Sequence, residues 1–343
     1  MRDPRDRADH AMRHATMTAV WERETLAIVA ADVHAAARLQ RAAAELVGAD
    51  AGAVLEPDDG PLRFVLNAAA RERSACVVWR AQTTAGGGPR NATERITLTP
   101  LDATAAGRWR IDVADIEPDA GMVGAHNDAV IDLVSHELRS PLNAALTWAS
   151  VLELDRSDAT VERAVTIIKH SIHAQARLID DLVDAARSGR SNVPLETIPN
   201  ALTAVLDRAV AESCARRPGR TIRSIAPPLT VETDEPQLQR ALRHLIDNAV
   251  KFSAPDSPVT LRGDRAGAYG VVDVVDAGVG LSSADLAHVF HSFWRAEAKT
   301  SGGGLGLGVV RRVVERHGGM LAARSGGRDR GATFTFALPI AAT

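Results

Sequence analysis

Residues 119–190 limit what this chain can become more than any other stretch, because they hold two long apolar stripes at helical spacing with only "DRSDAT" between them. In the first, Ile131, Val134, Leu138, Leu142, Ala145, Ala149 and Leu152 fall within about 40° of one line on a helix turning about 100° per residue. In the second, Val161, Val165, Ile168, Ile172, Gln175, Ile179, Leu182 and Ala186 step by four and three, a coiled-coil seam with one polar interruption. Joined by a short loop, the two make a helical hairpin. Two helices enclose no core alone, so the economical expectation is two hairpins from two chains in a four-helix bundle, and hence a homodimer.

The rest of the chain is too long to be one domain with this hairpin: 343 residues, 45% hydrophobic and 24% charged, predict two or three globular domains. Residues 1–23 are polar and read as a flexible N-terminus. Residues 24–118 mix an apolar run "TLAIVAADV", an Ala-rich helical stretch from Asp32 to Val47, and three strand-like runs, "SACVVWRAQT", "ERITLTPLD" and "GRWRIDVADI". They predict a small α/β domain ending in antiparallel strands. After "RSGRSNVPLETIPN", residues 195–340 alternate helices and strands and carry every patterned glycine-rich loop. A net charge of -3 gives no nucleic-acid signature. No apolar run approaches the ~20 residues of a membrane span, and the start lacks the order of a signal peptide, so a cytoplasmic chain without membrane insertion is expected. Cys76 and Cys214 suggest neither a disulfide framework nor a metal pair. Lysine occurs only at 169, 251 and 299, which makes each lysine worth weighing.

Within "VSHELRSPLNAAL", His136 lies two residues before Leu138 and about 160° from the centre of the apolar face, so it points out of the bundle. A lone histidine there is ordinarily a surface residue, but its neighbours change the reading. Glu137 is placed to accept a proton from one imidazole nitrogen while the other attacks an electrophile. Near neutral pH an imidazole of pKa ~6.5 is mostly uncharged and available as that nucleophile. Pro141 removes an N–H and crowds the carbonyl four residues earlier, which predicts a bend one turn beyond His136. "SHELRSPL" resembles the H-box of the sensor histidine kinases of two-component systems, departing only at Ser140. The resemblance implies His136 as the autophosphorylated residue and Glu137 as its acid/base partner. It also implies Ser140 at the position that orients water in phosphatase-competent members.

The C-terminal part resembles the ATP-binding half of the same family. "DEPQLQRALRHLIDNAVKFS" opens with an N-cap acid before a proline, and Leu238, Leu242, Leu245, Ile246 and Ala249 form its buried stripe. His244, Asn248 and Lys251 share another face, where an amide oxygen suits Mg²⁺ and a lysine suits phosphate. The segment is similar to the N-box, which implies Asn248 as the Mg²⁺ ligand, Lys251 as a phosphate contact and Phe252 as packing under the nucleotide. His244 replaces an asparagine of that pattern and takes no metal role, imidazole being a poor ligand for Mg²⁺. "VVDVVDAGVGL" runs a strand into Asp276, Gly278 and Gly280, a carboxylate and two glycines suited to an adenine amino group and a close backbone approach. It resembles the G1 box. "VFHSFWR" resembles the F-box through Phe290 and Phe293, with His291 and Ser292 departing. "SGGGLGLGVV" places Gly302, Gly304, Leu305, Gly306, Leu307 and Gly308 before a helix whose N-terminal N–H groups favour phosphate. It resembles the G2 box, and "RGATFTFALP", with Thr333, the closing strand.

These motifs, in this order over residues 130–340, imply a multidomain α+β protein: a dimeric hairpin and a C-terminal α/β-sandwich ATP-binding domain of the Bergerat kind. They imply an ATP- and Mg²⁺-dependent protein histidine kinase that phosphorylates His136 and passes the phosphoryl group to an aspartate of a separate response regulator. Residues 24–118 are similar to a degenerate PAS domain receiving a small-molecule or protein signal. They show no flavin-attachment cysteine, and His34 in its Ala-rich helix reads as a surface residue rather than a haem ligand. The alternatives are a kinase-inactive nucleotide-binding scaffold and another ATPase of the same ATP-binding fold.

Overall fold

Alternation of buried and partly exposed residues makes His14–Glu22 a strand, β1: Ala15, Met17 and Ala19 are buried and the residues between them less so. The flexible N-terminus expected over 1–23 therefore fails from His14 onward. Two of its three buried residues are alanines and it follows the polar residues 1–13, so the alternation is too short to stand out. Pairing with β2 (Thr25–Ala31) and β5 (Arg108–Ile116) supplies what propensity does not. The computed structural model describes residues 14–22, 25–56, 60–83, 89–101, 107–116, 127–186, 195–291, 294 and 306–341. They fall into two units, one holding residues 1–118, 195–289 and 310–343 and the other residues 119–194 and 290–309.

In the first unit Asp32 caps α1 (Val33–Leu39) by accepting from the Ala35 N–H at 2.6 Å. Gln40, at φ 52°, takes the left-handed conformation and ends it. The single helix expected from Asp32 to Val47 is thus two, α1 and α2 (Ala43–Leu46). After α3 (Ala51–Leu55), α4 (Pro61–Glu72) starts on a proline and buries Leu62, Val65, Leu66, Ala69 and Ala70. The three strands read from the sequence follow as β3 (Ala75–Thr83), β4 (Pro89–Pro100) and β5, with Ile96, Leu98, Trp109 and Ile111 in the same core.

The second unit contains the hairpin, α5 (Asn127–Leu154) and α6 (Asp158–Ala186), with α5 helical through Pro141. The Asp155 carboxylate holds the turn, accepting from the Ser157 N–H at 2.9 Å and from the Thr160 hydroxyl at 2.6 Å. Those bonds, the Thr160 hydroxyl first, hold its pKa below the usual carboxylate value. Ala164 and Ser171 are buried, while Leu142, Leu146, Val165, Ile172 and Ile179 remain exposed.

Past residue 195, β6 (Ile198–Ala201) pairs with β8 (Thr230–Thr233), and α7 (Leu202–Arg216) leads to β7 (Ile222–Ile225). Asp234 caps α8 (Glu235–Phe252), accepting from the Gln237 N–H at 3.3 Å, and the expected stripe Leu238, Leu242, Leu245, Ile246 and Ala249 is buried together with Ala241. Strands β9 (Val259–Ala266) and β10 (Tyr269–Val275), short α9 (Ser283–Leu286), α10 (Gly306–Arg316), β11 (Met320–Ser325) and β12 (Thr333–Pro339) complete the chain.

A single ten-stranded sheet runs β2-β1-β5-β4-β3-β11-β12-β10-β9-β7. Among the described residues only the β7–β9 pair is parallel. The sequence boundary at residue 118 is therefore not a break in the sheet. No helix among the described residues is long and apolar enough to cross a membrane.

Candidate functional site

Asp276 follows directly on β10 and is buried, at 9% exposure. Its Oδ1 accepts from the Gly278 N–H at 2.8 Å and from the Ala332 N–H at 3.2 Å. Burial pushes its pKa above the usual carboxylate value, and these two backbone donors oppose that shift. Both known bonds fall on Oδ1, so Oδ2 is the oxygen able to accept from a ligand amine.

At Gly278 and Gly280 the turn after Asp276 has no room for a side chain. A Cβ on Gly278 would meet the Phe252 carbonyl oxygen at 2.4 Å, and one on Gly280, whose φ is +65°, would meet the Gly327 carbonyl oxygen at 2.1 Å. Neighbouring backbone fixes the turn. Val279 N–H donates to the Phe252 carbonyl at 3.1 Å, Gly331 N–H to the Gly278 carbonyl at 3.0 Å, and Leu281 N–H to Ser325 Oγ at 3.0 Å. Ser325 Oγ in turn donates to the Gly331 carbonyl at 2.7 Å. The end of α8, the turn after β10 and the β11–β12 connection thus form one hydrogen-bonded cradle. Thr333, buried at the start of β12, pairs with Val275 just before Asp276.

Asn248, half-buried, and Lys251, exposed, lie on the last turns of α8, the helix whose terminal Phe252 carbonyl reaches the cradle. Lys251 Nζ stands 4.8 Å from the Phe252 ring centroid. Asn248 offers the hard oxygen that Mg²⁺ accepts, and a metal of this kind takes few protein ligands because phosphates and water complete its shell. The residues present fit a nucleotide carrying its own Mg²⁺.

Phe290 is fully buried, whereas Phe293, Gly302, Gly304 and Leu305 lie outside the described residues. Gly306, Leu307 and Gly308 form the first turn of α10. His136, Glu137 and Ser140 are on α5, and their side chains lie outside the described residues. The carbonyl of Leu138, which follows Glu137, accepts from Nε2 of Gln175, the polar interruption of α6, at 3.2 Å.

Sequence reasoning misses four contributors: Ser325, Gly331, the Ala332 N–H and His317. Gly331, at φ +66°, was available as a glycine before the closing strand, since a Cβ there would meet the Asp276 carbonyl oxygen at 2.2 Å. The others act through pairings that no local pattern announces. His317 Nδ1 donates to the Val313 carbonyl at 2.6 Å while Nε2 accepts from the Asp234 N–H at 3.0 Å, tying α10 to the cap of α8. Burial lowers its pKa below the usual histidine value.

Family models match two parts of the chain. Residues 127–191 match the His Kinase A (phospho-acceptor) domain, and residues 233–342 match the histidine kinase-, DNA gyrase B-, and HSP90-like ATPase. The sensor-like histidine kinase SenX3 of Mycobacterium tuberculosis is 31% identical over 239 residues, covering 66% of this chain and 57% of its own. The sensor protein KdpD of Escherichia coli is 30% identical over 260 residues, covering 73% of this chain and 27% of its own. Among solved structures, a mycobacterial sensor histidine kinase MprB is 28% identical, with 43% of this chain and 99% of that one covered at a TM-score of 0.40. The chain therefore spans little more than half the length of the SenX3 relative.

Proposed function

Because the chain belongs to the sensor histidine kinases of two-component systems, we propose that it transfers the γ-phosphoryl group of ATP-Mg²⁺ to His136 and then to an aspartate of a separate response regulator. The observation that supports this reading is the cradle around Asp276, a buried carboxylate whose Oδ1 is held by two backbone donors in a glycine turn, leaving Oδ2 to a ligand amine. In this proposal Asp276 Oδ2 accepts from the adenine amino group, and Gly278 and Gly280 let the turn that follows it pack against the Phe252 and Gly327 carbonyls. Asn248 holds the Mg²⁺ and Lys251 a phosphate, while Gly302, Gly304, Leu305, Gly306, Leu307 and Gly308 supply N–H groups to phosphate oxygens. In the same proposal Phe290 and Phe293 take the F-box roles that the resemblance implies.

The chemical step forms a bond from His136 Nε2 to the γ-phosphorus and breaks that atom's bond to the β,γ-bridging oxygen, which leaves with ADP. Glu137 takes the Nδ1 proton, and positioning with charge neutralisation supplies most of the acceleration. In a separate phosphatase reaction Ser140 orients the water that attacks the regulator's aspartyl phosphate, breaking its bond to the carboxylate oxygen and releasing inorganic phosphate. The exposed Leu142, Leu146, Val165, Ile172 and Ile179 support the homodimer, since an apolar stripe of that length finds cover in a second hairpin. For residues 14–116, the strand order β2-β1-β5-β4-β3, with the four described helices between β2 and β3, supports a PAS-like input domain receiving a small-molecule or protein signal. A cytoplasmic site of action, where ATP and a response regulator meet, belongs to the same proposal.

The test is incorporation of label from γ-labelled ATP-Mg²⁺ into the full chain beside His136→Ala and Asn248→Ala. Acid-labile, alkali-stable label lost in both variants is the expected result. ATP turnover without label on His136 would instead identify an ATPase, and nucleotide binding with neither reaction a scaffold. The scaffold alternative rests on His244, His291 and Ser292, which depart from the family pattern.

A further inference from the structure

We propose that the N-terminal residues act on the ATP-binding residues directly, by pairing β3 with the β11 edge of their sheet, and that this docking restrains phosphoryl transfer until a signal loosens it. The proposal goes beyond the kinase reading and rests on it for its functional sign.

Taken alone, β11-β12-β10-β9-β7 is a five-stranded sheet with β11 on its edge, and an open edge is a template for another strand. Here β3 fills it, antiparallel, from Ala75 opposite Ser325 to Arg80 opposite Met320. Three side-chain contacts flank the ladder. Arg324, only 5% exposed, donates from Nε to Glu72 of α4 at 2.8 Å and from Nη2 to Asp273 of β10 at 2.8 Å, so one guanidinium joins acids from the two sides. The Arg311 guanidinium of α10 lies 4.7 Å from the Trp79 ring centroid of β3. Arg95 of β4 donates to the Ala287 carbonyl, just past α9, at 3.2 Å.

The ladder ends at the nucleotide cradle. Ser325, the last residue paired with β3, is the residue whose Oγ holds both Leu281 and Gly331. Asp273, bonded by Arg324, lies on the strand that delivers Asp276. A shift of β3 therefore reaches the adenine-facing turn through one strand and one hydroxyl.

Two features favour a separable contact over a permanent fusion. On the ATP-binding side, the residues sharing the N-terminal core are small or few: Ala266, Ala322, Ala337, Val271 and Met320, with Tyr269 partly buried against them. The Glu72 partner of Arg324 is 48% exposed, so that bond is open to competition from water. The restraining sign follows from connectivity. With β3 docked, the ATP-binding residues are tied to the hairpin both through residues 117–126 and through residues 187–197. Undocked, only the second link remains, and a body on one tether samples more positions around His136 than a body on two.

The deciding experiment compares the full chain with a Glu72→Ala/Arg95→Ala variant, chosen because Arg324 keeps Asp273 and no buried side chain is removed. Hydrogen exchange, the affinity for a fluorescent ATP analogue and label on His136 are read together. The proposal expects faster exchange confined to residues 75–80 and 320–325, unchanged protection at 62–70, and about fivefold more label. Unchanged exchange and label, or exchange rising through the whole sheet, would overturn it, as would selective opening without a gain in label. Absence of label from both proteins would count against the kinase reading alone. The docking is then judged by analogue affinity, which moves about fivefold on selective opening if the proposal holds and stays constant if it does not.

Discussion

Asp276 shows how a single residue carries both recognition and a cost. Its Oδ1 is held by two backbone donors, so Asp276→Asn, which brings an NH₂ group into that carboxylate site, is expected to weaken ATP binding by about ten- to a hundredfold, the worth of a hydrogen bond to a charged group. Titration with a fluorescent ATP analogue measures this, with circular dichroism as a control for folding. His317 gives a pH dependence with a defined sign. Its folded pKa lies below the value near ~6.5 of an unfolded histidine, so the neutral form is favoured by folding. The stability it contributes is present above about pH 6.5 and falls as pH drops below that value, where the unfolded chain takes up the proton first. Urea midpoints at pH 7.5 and 5.5 should therefore differ more in the parent than in His317→Gln. Asp276, Gly278 and Gly280 were legible because they are adjacent in sequence. Ser325 and the Ala332 N–H were not, because their roles exist only once β11 and β12 are brought beside the turn.

At the scale of elements, helices with a continuous apolar stripe were readable and small, interrupted ones were not. Helix α8 buries the stripe its 3.6-residue period predicts. Leu242→Ala, at a fully buried position there, is expected to cost about 2–5 kcal/mol in chemical unfolding. Strand β1 was missed because its inward residues are two alanines and a methionine, and α1 ends where Gln40 adopts a left-handed conformation that its residue type does not announce. The hairpin keeps Leu142 and Leu146 at 45% and 57% exposure. Leu142→Asp/Leu146→Asp should leave α5 helical and convert the proposed dimer to a monomer in sedimentation analysis, since a charge placed in a bundle seam is buried only at high cost.

For the whole molecule, ligand linkage tests the ATP-binding reading without any turnover. Saturating ATP-Mg²⁺ at about a hundred times its Kd should stabilise the protein by ~2.7 kcal/mol, visible as a raised Tm. Chelating the metal should remove much of that gain from the parent and little of what remains in Asn248→Ala. His136→Ala should keep the full shift, because α5, which carries it, is not among the elements that form the cradle. The same scale holds the largest surprise. Residues expected as two separate domains share one sheet, through a pairing of β3 with β11 that joins positions some 245 apart, from Ala75 to Ser325 at one end and Arg80 to Met320 at the other.

What the sequence determined by itself was whatever repeats or clusters within about one helix turn or one loop: the two-stripe hairpin with His136, the Asn248–Lys251 face of α8, and the acid–glycine turn at Asp276. Periodicity and adjacency are local, and local geometry follows from them. What only the tertiary structure decided was the partner of each exposed edge. Every strand carries the same backbone donors and acceptors, so nothing in β3 or β11 names the other. The pairing is selected by shape, by Arg324 standing between Glu72 and Asp273, and by the ring of Trp79 beneath Arg311.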